Sequence, residues 1–298
     1  MRVLVTGAGG QVGKELQRVG WPEGTRLAAY THREFDIADG AAVAKMIVRP
    51  LDVVINAAAY TAVDRAETDR EGAARINAEG PGLLAQRCSV EGIPLIHLST
   101  DYVFDGAKRS PYLEDDATEP LNHYGATKLE GEKAVRRGLR HHVIIRTASV
   151  FSEFGTNFVK TMLRLGAERR SLQIVSDQTS SPTAASDIAE AIMHIADEIV
   201  HRGRPELWGT YHFCGQPAVT WMEFAQAIFE IAGRLGRPAP ELLSIRAEQY
   251  PAAAKRPAFS AMDCRRIQQM LGIQAPSWAA RLPTTVAALL GQKGAVSV

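Results

Sequence analysis

Met1-Arg2-Val3-Leu4-Val5-Thr6-Gly7-Ala8-Gly9-Gly10-Gln11-Val12-Gly13-Lys14-Glu15-Leu16 begins the chain, and its order of residue types decides the fold. A short apolar, β-branched run reads as a strand, and Lys14-Glu15-Leu16-Gln17-Arg18 reads as a helix. Between them Gly7, Gly10 and Gly13 are spaced G-x-x-G-x-x-G, looser than the strict G-x-G-x-x-G. Strand, glycine turn and helix in that order form the context of a dinucleotide fingerprint. Gly7 permits a tight turn and Gly10, with Gln11 and Val12 beside it, lets backbone approach a pyrophosphate. Gly13 allows helix to pack closely on strand, and the first helical N–H groups face the phosphates. Glycine-rich turns that bind nothing also occur in α/β proteins; placement at the first strand is what favours a cofactor here.

Working outward, Arg26-Leu27-Ala28-Ala29-Tyr30 is the expected second strand. A site for NAD usually ends this strand with an acid that holds the ribose 2′-hydroxyl. The chain instead reads Tyr30-Thr31-His32-Arg33, with no acid and with cations, which points to NADPH, His32 or Arg33 near the 2′-phosphate, and NADH as the second option. A solvated turn with an incidental Arg is the alternative. Phe35-Asp36-Ile37-Ala38-Asp39 is read as the start of a helix, with Asp36 capping it or contacting adenine and Ile37 beside the cofactor. Leu51 to Ile55 has the continuous apolar character of a buried parallel strand and ends in Asn56-Ala57-Ala58-Ala59-Tyr60. Small side chains at the carboxyl end of such a strand leave room for a ligand, which makes Ala57, Ala58, Ala59 and Tyr60 cofactor candidates. Asp64 to Leu84 is expected as one long helix with a kink or a local break at Pro81. Its Asn77 makes a local polar bond or holds a water near the site.

Ile93 to Leu98 is a further strand delivering Ser99-Thr100-Asp101, and Thr100 at its tip is a candidate donor to a substrate carbonyl. The next helix contains His123-Tyr124-Gly125-Ala126-Thr127-Lys128-Leu129-Glu130-Gly131-Glu132. Residues four apart share a helix face, so Tyr124 and Lys128 stand together, and the Lys128 charge is expected to lower the Tyr124 pKa. That makes Tyr124 a candidate acid or base for a carbonyl/alcohol couple; a solvated helix face is the alternative. With Val143 to Thr147 as the next strand, the alternation predicts an α/β fold, a doubly wound parallel (Rossmann) sheet with right-handed crossovers.

Composition narrows the function. Net charge is +1, from 34 Lys+Arg against 33 Asp+Glu, so no overall field recruits nucleic acid or an anionic membrane. No apolar run reaches spanning length and no signal-peptide pattern is present, so the protein is expected to be cytoplasmic. Cys88, Cys214 and Cys264 are widely spaced and lack C-x-x-C, which argues for reduced, mostly buried thiols rather than disulfides or zinc. The histidines show no ligand spacing, and His141-His142 is placed in a solvated turn. No metal site is expected.

In the second half, Thr156 to Gly166, Ser186 to Ile199 and Trp221 to Leu235 read as helices, the last capped by Thr220. Leu172 to Val175 and Tyr211 to Cys214 read as strands. Pro238, Pro240, Pro251 and Pro257 punctuate an irregular stretch suited to a pocket wall. Arg256 there either faces a diphosphate bidentately or is an unpaired surface cation. Residues 1–150 are expected to form the dinucleotide domain, with 184–215 returning to it, and 151–298 to form mainly a smaller, discontinuous α/β substrate domain.

The glycine turn, Asn56-Ala57-Ala58, Ser99-Thr100-Asp101-Tyr102-Val103-Phe104 and the pair Tyr124/Lys128 resemble, in order and spacing, the extended short-chain dehydrogenase/reductases. Asn56 to Glu67, Asn157-Phe158-Val159-Lys160-Thr161-Met162-Leu163, Asp177-Gln178-Thr179-Ser180-Ser181-Pro182-Thr183 and Arg256-Pro257-Ala258-Phe259-Ser260 further resemble the dTDP-4-dehydrorhamnose reductases, from Met1 to about Leu290. The resemblance implies reduction of the C4 ketone of a dTDP-linked 4-keto-6-deoxy sugar by NADPH or NADH. It implies that Tyr124 is the proton donor, that Lys128 holds the nicotinamide ribose, that Thr100 bonds the ketone and that Asp101 contacts the sugar. It also implies Asn157 near the substrate nucleotide, with an N-terminal helix cap as the alternative, and is compatible with a homodimer. Ser149 stands in Arg146-Thr147-Ala148-Ser149-Val150-Phe151 where the family carries a Trp resembling a wall of the sugar pocket, so a sibling reductase making another 6-deoxyhexose is the rival. A regulatory subunit of the same fold is the rival from another class. Glu15 matches a magnesium-binding position of some dimeric members, but Leu289-Leu290-Gly291-Gln292-Lys293 offers no carboxylate partner.

Overall fold

β1 (Arg2–Thr6), α1 (Gln11–Leu16), β2 (Arg26–Tyr30), α2 (Gly40–Met46) and β3 (Val53–Asn56) open the computed structural model, which describes residues 1–291. Gln292 and Lys293 of the tail considered for a metal partner lie outside the described residues. Next come α3 (Val63–Ala66), α4 (Arg70–Ala74), a π-helical turn (Arg75–Glu79), α5 (Gly80–Glu91), β4 (Leu95–Thr100), α6 (His123–Gly138) and β5 (His142–Thr147). The second half contributes β6 (Val150–Phe151), α7 (Phe158–Glu168), β7 (Ser171–Val175), β8 (Thr179–Ser180), β9 (Thr183–Ala184), α8 (Ala185–Asp197), β10 (Gly209–His212), β11 (Val219–Thr220), α9 (Trp221–Arg234), β12 (Glu241–Ile245), α10 (Arg265–Leu271) and α11 (Trp278–Leu289).

Six strands form one sheet in the order β10-β5-β4-β3-β1-β2, all neighbours parallel. Strand alternation sends Val3, Val5, Ile55 and Ile145 to a core shared with Ile188 and Ile192 of α8 and Ile267 of α10. Leu4, Val54, Leu95 and Ile144 face the opposite layer, against Leu84 and Cys88 of α5 and Val135 of α6. Both faces are therefore covered, as a parallel sheet requires. β1 sits between β2 and β3, so the winding reverses there and a crevice opens beyond the carboxyl ends of β1 and β3.

A separate core gathers Phe151, Val159, Leu172, Ile174, Phe224, Ile228, Trp278 and Leu282 from β6, α7, β7, α9 and α11. Residues 185–214 leave this region: α8 joins the first core and β10 completes the main sheet beside β5. The link between β5 and α6 is a buried ion pair. Arg146 donates from Nε and Nη2 to the two carboxylate oxygens of Glu132, each at 2.8 Å, with side-chain exposures of 2% and 0%.

Four local expectations are corrected. The single helix over 64–84 is broken after Ala66 and resumes at Arg70, running through the π turn into α5, with Pro81 just after that turn. The second helix starts at Gly40 and is capped by Asp39, whose side chain accepts from the amides of Ala41 and Ala42, not by Asp36. The proline-punctuated stretch contains β12, paired in parallel with β7 from Glu241↔Ser171 to Ile245↔Val175. His142 is buried at the start of β5 with Nδ1 2.5 Å from the Leu139 carbonyl, so it does not sit in a solvated turn, whereas His141 lies exposed in the bend before it and packs its ring on Trp208 at 5.0 Å.

Candidate active site

The turn after β1 is closed at its tightest point by backbone alone. Gly7 adopts φ +73°, and a Cβ there would stand 2.5 Å from the Ala57 carbonyl carbon. A Cβ on Gly13 would collide with the Gly7 oxygen, so α1 reaches the turn only because position 13 has no side chain. Beneath them Thr6 Oγ1 donates to Asn56 Oδ1 at 2.7 Å, and the same oxygen accepts from the Ala58 amide at 3.1 Å. The Asn56 amide nitrogen lies 3.0 Å from His97 Nδ1. Burial, then the nearby Lys128 charge, keep His97 well below its ordinary pKa and neutral, so Nδ1 is the acceptor.

These groups floor a cleft of about 400 Å³ lined by Gly7, Gly9, Gly10, His32, Phe35, Ile37, Ala57, Ala58, Ala59, Tyr60 and Ile76. Its lining contains no acid, its walls are apolar, and His32 stands at the end of β2. The residues present fit a nicotinamide dinucleotide with a charged ribose phosphate. Gln11, Val12, Arg33 and Asp36 are not in the lining. Gln11 turns away: its Oε1 accepts from Asn157 Nδ2 at 2.9 Å and Ser152 Oγ at 3.1 Å, and its Nε2 donates to the Val150 carbonyl. Val12 is buried in the core and Arg33 is exposed. Asp36 accepts from the Ala38 amide at 3.0 Å and pairs with Arg75; those partners hold its carboxyl below the usual range against the opposing effect of burial. A second cavity, of about 270 Å³ beside Arg49, Asp52, His141 and Trp208, opens at the amino-terminal end of the strands, away from all these groups.

Tyr124, Lys128 and Thr100 meet at the carboxyl end of β4. Asn122 caps α6 by accepting from the Gly125 amide, which places Tyr124 in the first turn. The Tyr124 ring stands edge-on to Tyr102 at 5.8 Å, and Tyr60 from the cofactor cleft packs against the same cluster. The expected lowering of the Tyr124 pKa is not found. Burial pushes the phenol up to about 12, with the Thr100 hydroxyl lowering it and the Asp101 charge raising it. The reason lies in Lys128, whose Nζ donates to the Leu98 carbonyl at 2.6 Å. Burial brings that ammonium down to about 8, against the upward pull of Glu132.

On the substrate side, Thr100 donates to Asp101 Oδ1 at 3.0 Å and accepts from the Tyr102 amide. Burial pushes the Asp101 carboxyl up to about 6, with the Ser260 and Thr100 hydroxyls opposing. Ser149 takes φ +45° and puts its hydroxyl 2.7 Å from that of Ser180. Asn157 is the cap of α7: it accepts from the Lys160 amide, and its Nδ2 is spent on Gln11, Ser152 and Phe154. Arg256 is neither free nor facing open solvent; its Nη2 pairs with Asp64 at 2.7 Å. Two contributors escape sequence reading, Phe35 and Ile76 as cleft walls, whereas Asn77, expected to make a local polar bond, acts as a bracket. Asn77 Oδ1 accepts from the Tyr60 amide at 2.8 Å while its Nδ2 donates to the Tyr60 carbonyl at 3.0 Å and Thr127 Oγ1 at 3.2 Å. The π turn that aims Asn77 and Ile76 has no pattern signature, although the Asn itself is visible as a polar residue in an apolar helical stretch.

A doubly wound sheet, an acid-free glycine cleft at its switch point and a Tyr/Lys helix at the adjoining strand end define a dinucleotide-dependent oxidoreductase of the short-chain dehydrogenase/reductase class. The chain belongs to the dTDP-4-dehydrorhamnose reductase family, and the family model described as RmlD substrate binding domain matches residues 1–290. It is 39% identical over 292 residues to the dTDP-4-dehydrorhamnose reductase of Sinorhizobium fredii, covering 97% of this chain and 98% of that protein. To the reductase of Escherichia coli K12 it is 40% identical over 285 residues, covering 93% and 94%. Among solved structures, the dTDP-4-dehydrorhamnose reductase of Clostridium acetobutylicum superposes with a TM-score of 0.90 at 34% identity, covering 97% of this chain and 100% of that one. That of Bacillus anthracis, solved in complex with NADP, superposes with a TM-score of 0.88 at 36% identity, covering 96% and 99%.

Proposed function

We propose that this enzyme reduces the C4 ketone of dTDP-4-dehydro-L-rhamnose to the alcohol of dTDP-L-rhamnose, with NADPH as donor and NADH as a poorer substitute. The observation that carries this reading is the convergence of Tyr124, Lys128 and Thr100 at the end of β4, joined through Tyr60 to the cleft. The names of the full-length relatives and the NADP bound to the Bacillus anthracis structure support substrate and cofactor. The bound dinucleotide supplies a hydride to C4.

The chain supplies the rest. Tyr124 donates its proton to the developing C4 alkoxide, for which a phenol kept protonated by burial is suited. Thr100 bonds the ketone oxygen and Asp101 the sugar. Lys128, its charge fixed at Leu98, holds the nicotinamide ribose, and the Gly7 to Gly13 turn with Ala57, Ala58 and Ala59 receives the diphosphate. His32 meets the ribose phosphate, with Arg33 within reach of it. Asp64 holds Arg256 at the rim for the substrate diphosphate, and Ser149 lines the sugar. Asn157 and Gln11 act indirectly, tying the sugar half to the glycine turn. In this division residues 1–150 with 184–215 serve the cofactor, and most of the remaining chain serves the sugar. No described helix is long and apolar enough to cross a membrane. A cytoplasmic enzyme working as a homodimer completes the reading.

Ser149 in place of an aromatic wall keeps one second reading in play, a sibling reductase giving another 6-deoxyhexose. Mixing enzyme, NADPH and dTDP-4-dehydro-L-rhamnose should consume the reduced-nicotinamide absorbance in proportion to substrate, and NMR of the product should show the rhamnose configuration at C4. A different C4 configuration selects the sibling; no substrate-dependent oxidation with either cofactor rejects both.

A further inference from the structure

Asn122 makes two side-chain contacts, and only one of them belongs to the helix it caps. The residue is 7% exposed, and both ends of its amide are engaged. Oδ1 accepts from the Gly125 amide at 2.8 Å and closes the first turn of α6. Nδ2 donates to the Lys255 carbonyl, also at 2.8 Å, across 133 residues of sequence. One partner is an N–H and the other a C=O, so a single orientation of the amide satisfies both.

Lys255 precedes Arg256 in a strap that is tied down along its length. The Ala254 amide and Arg256 Nη2 donate to the two carboxylate oxygens of Asp64 on α3, at 3.0 and 2.7 Å. Pro257 closes on Gly106, where a Cβ would stand 2.5 Å from the proline ring, and the Thr179 amide donates to the Ala258 carbonyl at 2.8 Å. The Asn122 Nδ2 bond joins this strap to α6, two residues before Tyr124. α6 has other anchors: the His123 amide donates to Glu67 Oε1 at 2.8 Å, and Gly125 packs against the Tyr102 carbonyl so closely that a Cβ would collide with it. The bond to Lys255 is therefore not what holds the helix in place.

The ketone and the diphosphate of a sugar nucleotide are parts of one molecule, set apart by the sugar ring. Tyr124 must meet the first while Arg256 meets the second, and a misplacement of about 1 Å between such contacts costs up to about 100-fold in rate. We propose that Asn122 is a positioning residue that sets the strap bearing Arg256 against the helix bearing Tyr124, so that one substrate engages both. The inference rests on the substrate placement proposed above. Asn122 acts through Arg256 and Tyr124 rather than on the reacting atoms.

Asn122→Asp and Asn122→Ser separate the two contacts. Both residue types cap a helix about as well as Asn, so the melting temperature should stay near wild type and NADPH affinity within about 2-fold. Neither replaces the bond to Lys255: the carboxylate has no N–H, and the serine hydroxyl is too short to reach both partners. The KM for dTDP-4-dehydro-L-rhamnose should rise by about 10-fold or more in both variants, and the affinity for dTDP, read by calorimetry without turnover, should fall in parallel. Unchanged KM and unchanged dTDP affinity in the folded variants would overturn the role. Losses of melting temperature and NADPH affinity that match the loss for dTDP would overturn it too, because the residue would then be a helix cap alone. The dTDP titration keeps the two claims apart. If wild type binds dTDP but oxidises no NADPH with this ketone, the reduction fails and Asn122 is judged on dTDP affinity; if wild type binds no dTDP, the diphosphate seat fails and this inference with it.

Discussion

The ammonium of Lys128 is anchored to the main-chain carbonyl of Leu98, 2.6 Å away, two residues before Thr100 on the same strand. α6 and β4 are thereby fixed to each other at the point where the phenol and the threonine hydroxyl must meet a single oxygen. The same contact explains why a lysine one turn along the helix does not lower the Tyr124 pKa: its charge is aimed at backbone.

Burial brings Lys128 down to about 8. A lysine is charged below its pKa, so cofactor binding through that charge is complete at neutral pH and weakens as pH rises through about 8. Titrating NADPH affinity by fluorescence between pH 6 and 10 should show this loss, and Lys128→Met should bind NADPH weakly at every pH with the slope abolished. A slope that persists in the variant assigns the titration to another group.

Glu132 and Arg146 join α6 to β5 as a pair almost wholly shielded from water. Glu132→Gln leaves the buried Arg146 charge without its carboxylate and should destabilise the fold by about 3–5 kcal/mol in urea unfolding, whereas Arg146→Met leaves Glu132 still paired with Arg136 at 2.7 Å and should cost less. The Glu132 carboxyl is held below its ordinary value by Arg146, against burial. Its contribution to stability is therefore present above its unfolded pKa and lost as pH falls through the lower folded value. The double variant should recover part of the loss, because the lone charge is gone.

Asn77 is 1% exposed and bonds both backbone groups of Tyr60 as well as Thr127. Asn77→Ala orphans the Tyr60 amide and carbonyl beside the cleft, at a cost of about 1–3 kcal/mol per unsatisfied group. Thermal melting should register the destabilisation, and NADPH affinity should fall more than the affinity for the sugar nucleotide. A melting temperature equal to wild type would show that water replaces the amide without loss.

Gly13→Ala drives a methyl into the Gly7 oxygen, a contact that backbone must relieve by moving. The displaced turn should bind NADPH at least about 10-fold more weakly, by fluorescence titration, while the second-half core stays intact. Wild-type affinity in this variant would mean that the glycine turn is not the diphosphate seat.

Much of this arrangement is legible in the sequence. The parallel strands are continuous apolar runs, and Gly7 with Gly13, Ala57 to Ala59, Thr100, Tyr124 and Lys128 stand at strand ends or on one helix face, where period and turn chemistry act over a few residues. What escapes depends on partners distant in sequence. The pKa of Tyr124 is set by burial and by where Lys128 points, neither of which helix spacing encodes. Asp36 and Arg256 are candidate ligand contacts in the sequence, but they pair with Arg75 and Asp64, 39 and 192 residues away; Asn157, a ligand contact or a helix cap by sequence, is the cap of α7 and reaches Gln11, 146 residues away. Cys214 and Cys264, unrelated by any motif spacing, lie 3.6 Å apart sulfur to sulfur across 50 residues. The π turn at Arg75–Glu79 lies just before Pro81, where the sequence reading puts a kink or a local break, but nothing in local propensity signals the extra residue itself.

The central claim is that the Tyr124 hydroxyl protonates the sugar oxygen as hydride arrives, and Tyr124→Phe tests it most directly. Stopped-flow absorbance of NADPH with dTDP-4-dehydro-L-rhamnose should show kcat reduced by at least about 100-fold, the loss typical of removing a general acid, with NADPH affinity within about 2-fold of wild type. A Phe variant that turns over at close to the wild-type rate would contradict the assignment.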